Sequence, residues 1–244
     1  MDGDHDITLF FPVYNEEGNI RSVITTASNV LKKISRNYEV LLVLYAGSTD
    51  KSEEIIREMA KEDPHIRLVI QPTSDPGVGR AYRIGFEQAK YPIIAYSDSD
   101  NQFNLNELVK FLPYLDEYDI IAGYKLKRQD PLPRIITSWG YNTLVRTLFR
   151  INTMDVNTAF RVVKKPVLDK VKLTSRLGTV TTELLVKAKK NGFSIKQIGV
   201  THFPRTEGKP LYEVTSGMLS PKTIINVSKE IVRLWWSVNV RKQY

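Results

Sequence analysis

Two aspartates that lie two residues apart, Asp98 and Asp100, are the pair in the chain most suggestive of chemistry. They directly follow an apolar run, residues 92–97, that predicts a buried strand. Carboxylates at a strand end can converge on one hard cation, because Mg²⁺ takes one or two protein carboxylates together with substrate phosphates. Such a cation would neutralise a diphosphate leaving group. Aspartate and serine are also common in turns and helix caps, so the pair alone is equally typical of an ordinary turn.

Two further polar loops follow predicted strands. The segment Gly47-Ser48-Thr49-Asp50 predicts a glycine turn in which Ser48 or Asp50 caps the next helix. The segment Gly77-Val78-Gly79-Arg80 could place backbone N–H groups near a phosphate at a helix start. It is not a dinucleotide fingerprint, because Tyr82 occupies the third glycine position, and it lacks the Gly-Lys-Ser/Thr of a P-loop. Alone, each loop is typical of a turn.

The elements that position these loops alternate between strands and helices in the first half of the chain. Apolar runs predict strands at residues 7–13, 38–45, 66–70 and 92–97, and helical spacing predicts helices at residues 20–34, 51–62, 79–90 and 106–115. This alternation predicts an α/β fold with a parallel sheet covered on both faces. Ligands of such sheets bind beyond the carboxyl ends of the strands, so we expect the site after Phe11, Leu44, Ile70 and Tyr96.

The second half of the chain is less regular. Its pattern predicts strands at residues 119–123, 157–163 and 193–200, helices at 134–150 and 179–191, and a basic, proline-bearing loop at 125–134. Gly192 follows a lysine-rich last turn, which is a typical helix end. From residue 211 the strand and helix signals give way to a single amphipathic pattern. We therefore divide the chain into a domain of residues 1–210 and a tail of residues 211–244.

The tail predicts an amphipathic helix that begins at Ser220-Pro221, a cap residue followed by proline at the first helical position. Apolar residues recur at helical spacing at Ile224, Val227, Ile231, Leu234, Trp235 and Val238. Basic residues accompany them at Lys222, Lys229, Arg233, Arg241 and Lys242. The apolar face either lies on anionic lipid or packs on the core of the same domain, and periodicity does not choose between these. The helix at residues 134–150 is a second candidate for a lipid-facing surface.

Composition limits the classes of protein. The 244 residues are 42% hydrophobic and 25% charged, which is typical of a globular domain. The absence of cysteine excludes disulfides, thiolate catalysis, iron–sulfur clusters and cysteine-bound zinc. No apolar run approaches the ~18 residues of a membrane-spanning helix, and residues 1–6 lack the apolar region of a secretory signal. The net charge of +8 favours phosphate-bearing partners.

Four motifs occur in a characteristic order. They are Pro12-Val13-Tyr14-Asn15-Glu16-Glu17, Gly47-Ser48-Thr49-Asp50, Ser97-Asp98-Ser99-Asp100-Asn101-Gln102-Phe103 and His202-Phe203-Pro204-Arg205. Through them, over roughly residues 7–209, the chain resembles the family 2 glycosyltransferases, and among these the dolichyl- or polyprenyl-phosphate mannose or glucose synthases. The resemblance implies a GT-A fold, in which helices flank a mostly parallel central sheet, followed here by the amphipathic helical tail.

The resemblance also implies roles for individual residues. The nucleotide pocket would be lined by Pro12, Tyr14 and Glu16, with Lys125 where the family often has arginine. The metal motif would be Asp98 and Asp100, with Gln102 helping to coordinate the metal and the diphosphate. The donor diphosphate and acceptor phosphate would be handled by Arg128, Arg134 and Arg205. Acidic positions that organise the site would be Asp155 and Glu183.

The implied reaction is the inverting transfer of a hexose from a GDP- or UDP-sugar to a polyprenyl or dolichyl phosphate, with Mg²⁺ or Mn²⁺, by a protein peripheral on the cytoplasmic face of a membrane. A phosphate acceptor is already anionic, so the site must chiefly align the reactants and stabilise the departing diphosphate. A sugar hydroxyl would instead require a carboxylate base, for which Asp155 and Glu183 are the candidates.

Two positions depart from the family pattern. Tyr45-Ala46 stands where relatives usually carry an aspartate pair that contacts the nucleotide base, and Gly208-Lys209-Pro210-Leu211 stands where they carry Gly-x-Ser-Lys. The first departure leaves open an alternative, a degenerate glycosyltransferase fold that binds lipid phosphate or a partner without catalysis. A nucleic-acid partner is not expected, because no recognisable DNA- or RNA-binding motif accompanies the basic charge.

Overall fold

A computed structural model describes residues 5–126, 132–205, 207–208, 214–215 and 218–244 of the chain. The strands are β1 (Asp6–Val13), β2 (Asn37–Tyr45), β3 (Ile66–Gln71), β4 (Ile93–Tyr96), β5 (Ile120–Leu126), β6 (Arg161–Lys164), β7 (Ile195–Thr201), β8 (Val214–Thr215) and β9 (Met218–Leu219). The helices are α1 (Ile20–Ile34), α2 (Ser52–Glu62), α3 (Val78–Gln88), α4 (Leu132–Phe149), α5 (Lys165–Lys170), α6 (Val180–Lys190) and α7 (Pro221–Asn239).

A seven-stranded sheet in the order β3-β2-β1-β4-β6-β5-β7 forms the centre of the molecule. Strand β1 pairs in parallel with β2 and β4, and Leu9 lies opposite both Val40 and Ala95. Strand β6 is antiparallel to both β4 and β5, whereas β5 and β7 are parallel. The predicted mostly parallel sheet with flanking helices is confirmed. The antiparallel insertion of β6 was not predicted.

Both faces of the sheet are covered, because alternate residues of β1 enter different core layers. Ile7, Leu9 and Phe11 pack with α1 and α2 on one face. Phe10 points to the other face, where it packs with α3 and the layer that also contains α4, α6 and α7. Apolar side chains on both faces explain why β1 and β2 appear in the sequence as continuous apolar runs.

Helix α7 is partly a core element. Ile231, Leu234 and Val238 are buried in the same layer as α3 and α6. Ile224 and Trp235, from the same predicted apolar face, remain exposed. Packing on the core therefore accounts for only part of the hydrophobic pattern of the tail. Among the described helices, none combines the length and the hydrophobicity needed to cross a bilayer.

Two predicted elements differ in the structure. The helix predicted at residues 106–115 is instead a pair of 3₁₀ segments, Leu105–Lys110 and Leu112–Tyr114. Pro113 lacks the N–H that an α-helix needs at this point and disfavours helical backbone at the residue before it. The strand predicted at residues 157–163 begins only at Arg161, because the Asp155 carboxylate accepts a hydrogen bond from the Asn157 amide (3.0 Å) and bends the chain.

Candidate active site

The polar loops that follow β1, β2 and β4 meet at one edge of the sheet, since the three strands are parallel neighbours. Hydrogen bonds join the first two loops. The Asn15 side chain, at a residue with φ of 52°, accepts from the Thr49 amide (2.8 Å), and the Glu16 amide donates to the Ser52 hydroxyl (2.9 Å). Asp50 accepts from the Ser52 amide (3.0 Å) in the turn before α2. The N-cap residue of α2 is Lys51, which makes no side-chain cap bond, so the predicted capping by Ser48 or Asp50 is wrong.

The third loop carries the aspartate pair and is fixed to β1. The Ser99 hydroxyl donates to the Pro12 carbonyl (2.8 Å). Asn101, with φ of 59°, donates through its amide to Ser22 (2.7 Å) at the start of α1. These contacts hold the residues between them, including Asp100, at the edge where the sheet predicts a ligand site.

Arg205 joins two of the acidic side chains. Its Nη2 donates to Asp100 Oδ2 (2.8 Å), and its Nη1 donates to Glu16 Oε1 (3.1 Å). The other oxygen of Glu16 accepts from Asn19 (2.7 Å). Burial raises the pKa of Glu16, and the hydrogen bond from Asn19 and the charge of Arg205 offset this rise in part. A residue late in the chain thus lies against the loops that follow β1 and β4.

Asp98 is the acid at this edge whose pKa is shifted furthest from its ordinary value. Burial and, after it, the negative charge of Asp100 raise the pKa of Asp98 to about 7, while the charges of Lys125 and Arg205 act in the opposite direction. The Tyr82 hydroxyl of α3 donates to its Oδ1 (3.4 Å). Such a perturbed carboxyl beside further charged groups is typical of a functional site.

Gln102 orients the segment that contains Arg205. Its backbone amide donates to Asp100 Oδ1 (3.2 Å), and its side-chain amide donates to the Phe203 carbonyl (3.0 Å). Phe203 returns a backbone hydrogen bond to the Gln102 carbonyl (2.8 Å). Since the side-chain nitrogen is used in this contact, the side-chain oxygen is the atom that could ligate a cation.

The donor set suits a hard divalent cation. Within the part of the chain that the structure describes, no group of three or more histidine, cysteine, aspartate and glutamate residues is arranged as a complete metal cage. Mg²⁺ does not require one, because it is usually held by one or two carboxylates with substrate phosphates and water. Asp98 and Asp100 with the Gln102 oxygen fit this pattern, and the mutual repulsion of the two carboxylates would be relieved by a cation.

The predicted nucleotide-side residues lie at the same edge. Tyr14 is 41% exposed, and the centre of its ring lies 5.8 Å from that of Tyr45, the residue that departs from the family pattern. The Tyr45 ring covers Gly47 so closely that a Cβ on that glycine would lie 2.4 Å from it. Lys125, at the end of β5, places its ammonium 6.0 Å from the ring centre of Phe103.

The predicted arginines lie in different settings. Arg205 is in the acid cluster, as described above. Arg134 lies in the first turn of α4 and is exposed. Arg128 lies outside the described residues.

The two acids proposed as organising residues are buried and have local partners. Asp155 bonds to Asn157. Glu183 accepts from the amides of Thr174 (2.9 Å) and Ser175 (2.8 Å) and pairs with Lys187 Nζ (2.9 Å). Burial alone would raise the pKa of Glu183, but Lys187 and these amides outweigh it and hold the pKa below its ordinary value. The described contacts of Glu183 therefore fix the loop before α6.

The sequence did not identify Tyr82 or Asn19 as site residues. Tyr82 was noted only as the residue that breaks a glycine fingerprint. Its position near the start of the helix after β3 was the available signal, because that helix begins at the same edge of the sheet. Asn19 immediately precedes a helix, where asparagine is ordinarily a cap, and no pattern marks its bond to Glu16.

Comparison with known proteins agrees with this architecture. Residues 8–172 match the family described as glycosyl transferase family 2. A polyprenol monophosphomannose synthase of Mycolicibacterium smegmatis is 26% identical over 212 residues, which are 82% of this chain and 78% of that protein. An undecaprenyl-phosphate 4-deoxy-4-formamido-L-arabinose transferase of Pectobacterium atrosepticum is 28% identical over 60% of this chain, but the match spans only 45% of that longer protein.

A solved structure shows the same fold. Glucosyl-3-phosphoglycerate synthase of Mycobacterium tuberculosis, crystallised with Mn²⁺, uridine diphosphate and glucosyl-3-phosphoglycerate, superposes with a TM-score of 0.68 at 16% identity. The match covers 96% of this chain and 79% of that one. The expected GT-A fold is confirmed.

Proposed function

The chain belongs to glycosyl transferase family 2, and from that premise we propose that it is an inverting hexosyltransferase that moves a sugar from a nucleotide diphosphate to a polyprenyl phosphate. The observation that carries this proposal is the convergence of Asp98 and Asp100 with Arg205 at the carboxyl edge of the sheet. Asp98 and Asp100 could hold a divalent metal ion, and the guanidinium of Arg205 lies beside them. A diphosphate leaving group is stabilised by positive charges placed in this way.

The donor is proposed to be a UDP- or GDP-sugar. Its base would lie near Tyr14, just after β1, and Tyr45, at the end of β2, whose ring centres are 5.8 Å apart. A bound Mg²⁺ or Mn²⁺, held by Asp98, Asp100 and Gln102, would supply positive charge to the diphosphate oxygens. The Mn²⁺ and uridine diphosphate of the solved relative support this choice of donor and cofactor.

The residues of the chain would position the reactants and compensate charge. Arg205 and Lys125 would face the phosphates and stabilise the charge that develops as the diphosphate leaves. Glu16 holds Arg205 from the opposite side and so fixes the direction of its guanidinium (3.1 Å). The backbone bonds between Gln102 and Phe203 keep this segment in place, so that little reorganisation is needed during transfer.

A phosphate acceptor agrees with the state of the buried acids. An acceptor phosphate is already ionised and attacks the anomeric carbon without losing a proton, whereas a hydroxyl acceptor needs a base within hydrogen-bonding reach. Both carboxylate oxygens of Glu183 already accept hydrogen bonds, from Lys187 and from the loop before α6, so Glu183 is not placed to act as that base. Polyprenol and undecaprenyl phosphate occur in the names of the two relatives described above, which supports a lipid-linked acceptor.

A lipid-linked acceptor places the protein at a membrane surface, and we propose the cytoplasmic face. Helix α4 carries exposed apolar side chains, including Leu132 (68% exposed), Ile136 (58%) and Trp139 (66%). Their number is unusual for a helix that faces only water, and exposed patches of this kind mark interaction surfaces. Together with the exposed side of α7, they would rest on the bilayer from which the acceptor phosphate projects.

The experiment measures transfer of a labelled hexose from UDP- and GDP-sugars into an organic-extractable product, with a short polyprenyl phosphate, with and without Mn²⁺. Replacing Asp98 or Asp100 with asparagine should lower transfer at least about a hundredfold. The matched control is Asp116→Asn, which changes an exposed residue just after the 3₁₀ segment Leu112–Tyr114. This change should not alter transfer. Undiminished transfer in Asp100→Asn would remove the metal motif from the mechanism.

A second candidate function is the non-catalytic one, a glycosyltransferase fold that binds lipid phosphate or a partner. It is favoured by the departure at Tyr45-Ala46 and by the contacts of Arg205, which neutralise Asp100 and Glu16 without any metal. Calorimetry with UDP and GDP discriminates between the two. Clear Mn²⁺-dependent nucleotide binding supports the transferase, and its absence supports the non-catalytic function.

A further inference from the structure

A groove separates α7 from the segment that joins α5 to α6, and it plays no part in the proposed transfer. Its volume is about 970 Å³. Six basic side chains line it, namely Lys170, Lys172, Arg176, Lys187, Arg233 and Arg241. Two acidic side chains, Glu183 and Glu230, and the aromatic side chains Trp236 and Tyr244 also line it. None of the six basic residues is among those proposed to handle the donor or the acceptor.

The positive charge of the groove is largely uncompensated. Glu183 is paired with the buried Lys187 (2.9 Å). Glu230 accepts from the backbone amides of Arg176 (2.9 Å) and Leu177 (3.3 Å) and from the Thr179 hydroxyl. Over the described ranges of the chain, the other five basic side chains have no ion-pair partner. A concave surface with clustered charge of one sign concentrates its field and attracts anions.

The groove opens onto an apolar strip of α7. Val232 and Arg233 line both the groove and a neighbouring shallow depression that also contains Ile224 and Ile225. Val232 is 65% exposed, and Trp236, inside the groove, is 51% exposed. A cationic recess directly beside exposed aliphatic and indole side chains matches the two parts of a lipid molecule at a bilayer surface.

We propose that this groove binds the phosphate headgroup of an anionic phospholipid, while the apolar strip of α7 enters the acyl region beside it. The site is separate from the acceptor site and orients the protein on negatively charged membrane. A free phosphate ester would bind the same basic side chains but would make no contact with the apolar strip of α7. Because the groove and the strip are continuous, the lipid is favoured. The inference rests on the membrane placement in the proposed function, not on sugar transfer.

The test compares binding of the full chain to vesicles of phosphatidylcholine alone and of phosphatidylcholine mixed equally with phosphatidylglycerol. The double variant Lys172→Glu/Arg233→Glu should bind the mixed vesicles about tenfold or more weakly than the unaltered chain, since each basic residue near an anionic surface adds to binding. The control is Lys32→Glu/Lys33→Glu, an identical charge change at the exposed end of α1. Equal losses in both variants would overturn the proposal, because they would reveal only a net-charge effect.

The milder pair Lys172→Gln and Arg233→Gln guards against misfolding, and it should show an intermediate loss with an unchanged unfolding temperature. Glycerol phosphate, the headgroup without acyl chains, distinguishes the two sources of the anion. It should not displace the chain from mixed vesicles at the concentration of accessible phosphatidylglycerol; displacement would assign the groove to a soluble phosphate and overturn the lipid assignment.

Transfer to a water-soluble polyprenyl phosphate should be unaffected in the groove variants. Loss of vesicle preference with intact transfer supports the groove, whereas intact preference without any transfer in the unaltered chain contradicts only the proposed function.

Discussion

Arg205 occupies a position between two carboxylates from different loops, Asp100 at 2.8 Å and Glu16 at 3.1 Å. In this position it does two opposing things. It compensates the acids when no divalent cation is present, and it offers the cation that a diphosphate would need once Asp100 turns to a metal. Charge-assisted hydrogen bonds of this length are roughly twice as strong as neutral ones, so the bond from Arg205 opposes any movement of Asp100 toward a metal.

Replacing Arg205 with glutamine should therefore shift two affinities in opposite directions. Mn²⁺ alone should bind about tenfold more tightly, because a charged hydrogen bond no longer competes for Asp100. Mn²⁺-dependent binding of UDP or GDP should weaken, because the cation that faces the diphosphate is lost. Calorimetry at pH 8 measures both.

The control for this experiment is Arg57→Gln, which removes an exposed ion pair with Glu53 on α2. A parallel weakening of both affinities in Arg205→Gln would contradict the dual role.

Glu183 predicts a dependence of stability on pH. Its pKa is held below the unfolded value of 4.5, so its ionised form stabilises the fold above that value and this contribution disappears as pH falls through the lowered pKa. Glu183→Gln should cost about 3 kcal/mol at pH 7, since Lys187 would be left buried without its partner. The difference from the unaltered chain should shrink below pH 4.5 in urea unfolding.

Glu54→Gln, an exposed change on α2, should leave stability nearly constant over the same range. A cost in Glu183→Gln that persisted unchanged into acid would show that packing, not the ion pair, is what the substitution disturbs.

At the scale of elements, sequence pattern accounts for the first half of the fold, strands β1 to β4 with helices α1 to α3, and for the position of Asp98 and Asp100. Continuous apolar runs such as Phe10-Phe11 mark strands covered on both faces, and Asp98 must then follow β4 at the ligand edge. The pattern could not show that β6 enters the sheet antiparallel, because its four residues Arg161–Lys164 carry no directional signal. Nor could it bring Arg205 to Asp100, since that contact depends on long-range hydrogen bonds between the Phe203 backbone and Gln102.

The close approach of α3 to β1 gives a test at this scale. A Cβ on Gly85 would lie 2.5 Å from the buried ring of Phe10, whereas a Cβ on Gly140 of α4 meets nothing within 4 Å. Gly85→Ala should therefore destabilise the fold by about 1–3 kcal/mol through overpacking. Gly140→Ala should stabilise it by about 0.5–1 kcal/mol, because alanine is the better helix former. Chemical denaturation measures the free energy of unfolding of the two variants. Equal changes in both would contradict the close packing of α3 on Phe10.

At the scale of the whole molecule, exposed apolar residues are concentrated on α4 and α7. All three tryptophans of the chain, Trp139, Trp235 and Trp236, lie on these helices and are exposed. Helices α4 and α7 both contribute to the core layer on one face of the sheet, so their outer sides belong to the same half of the molecule. A membrane would thus contact one side of the protein.

Trp139→Glu should weaken binding to vesicles of phosphatidylcholine alone about tenfold or more, because burial of one aromatic side chain is lost. The same change should leave the unfolding free energy nearly constant, since the residue is 66% exposed. Val109→Glu, at an exposed apolar residue of the 3₁₀ segment Leu105–Lys110, is the matched control. Sedimentation with vesicles measures the binding, and an equal loss in Val109→Glu would argue against a defined face.

The loop between α5 and α6 contacts both α7 and the start of α3. Its Arg176 amide is held by Glu230 of α7, and its Arg176 carbonyl accepts from the Gly79 amide (2.9 Å) at the start of α3, one turn before Tyr82 reaches Asp98. A chain shortened before Pro221 would leave two loop amides without their carboxylate. Order at the first turn of α3 would then loosen even in a mixture free of lipid, so α7 supports the sheet edge that carries Asp98 through this loop.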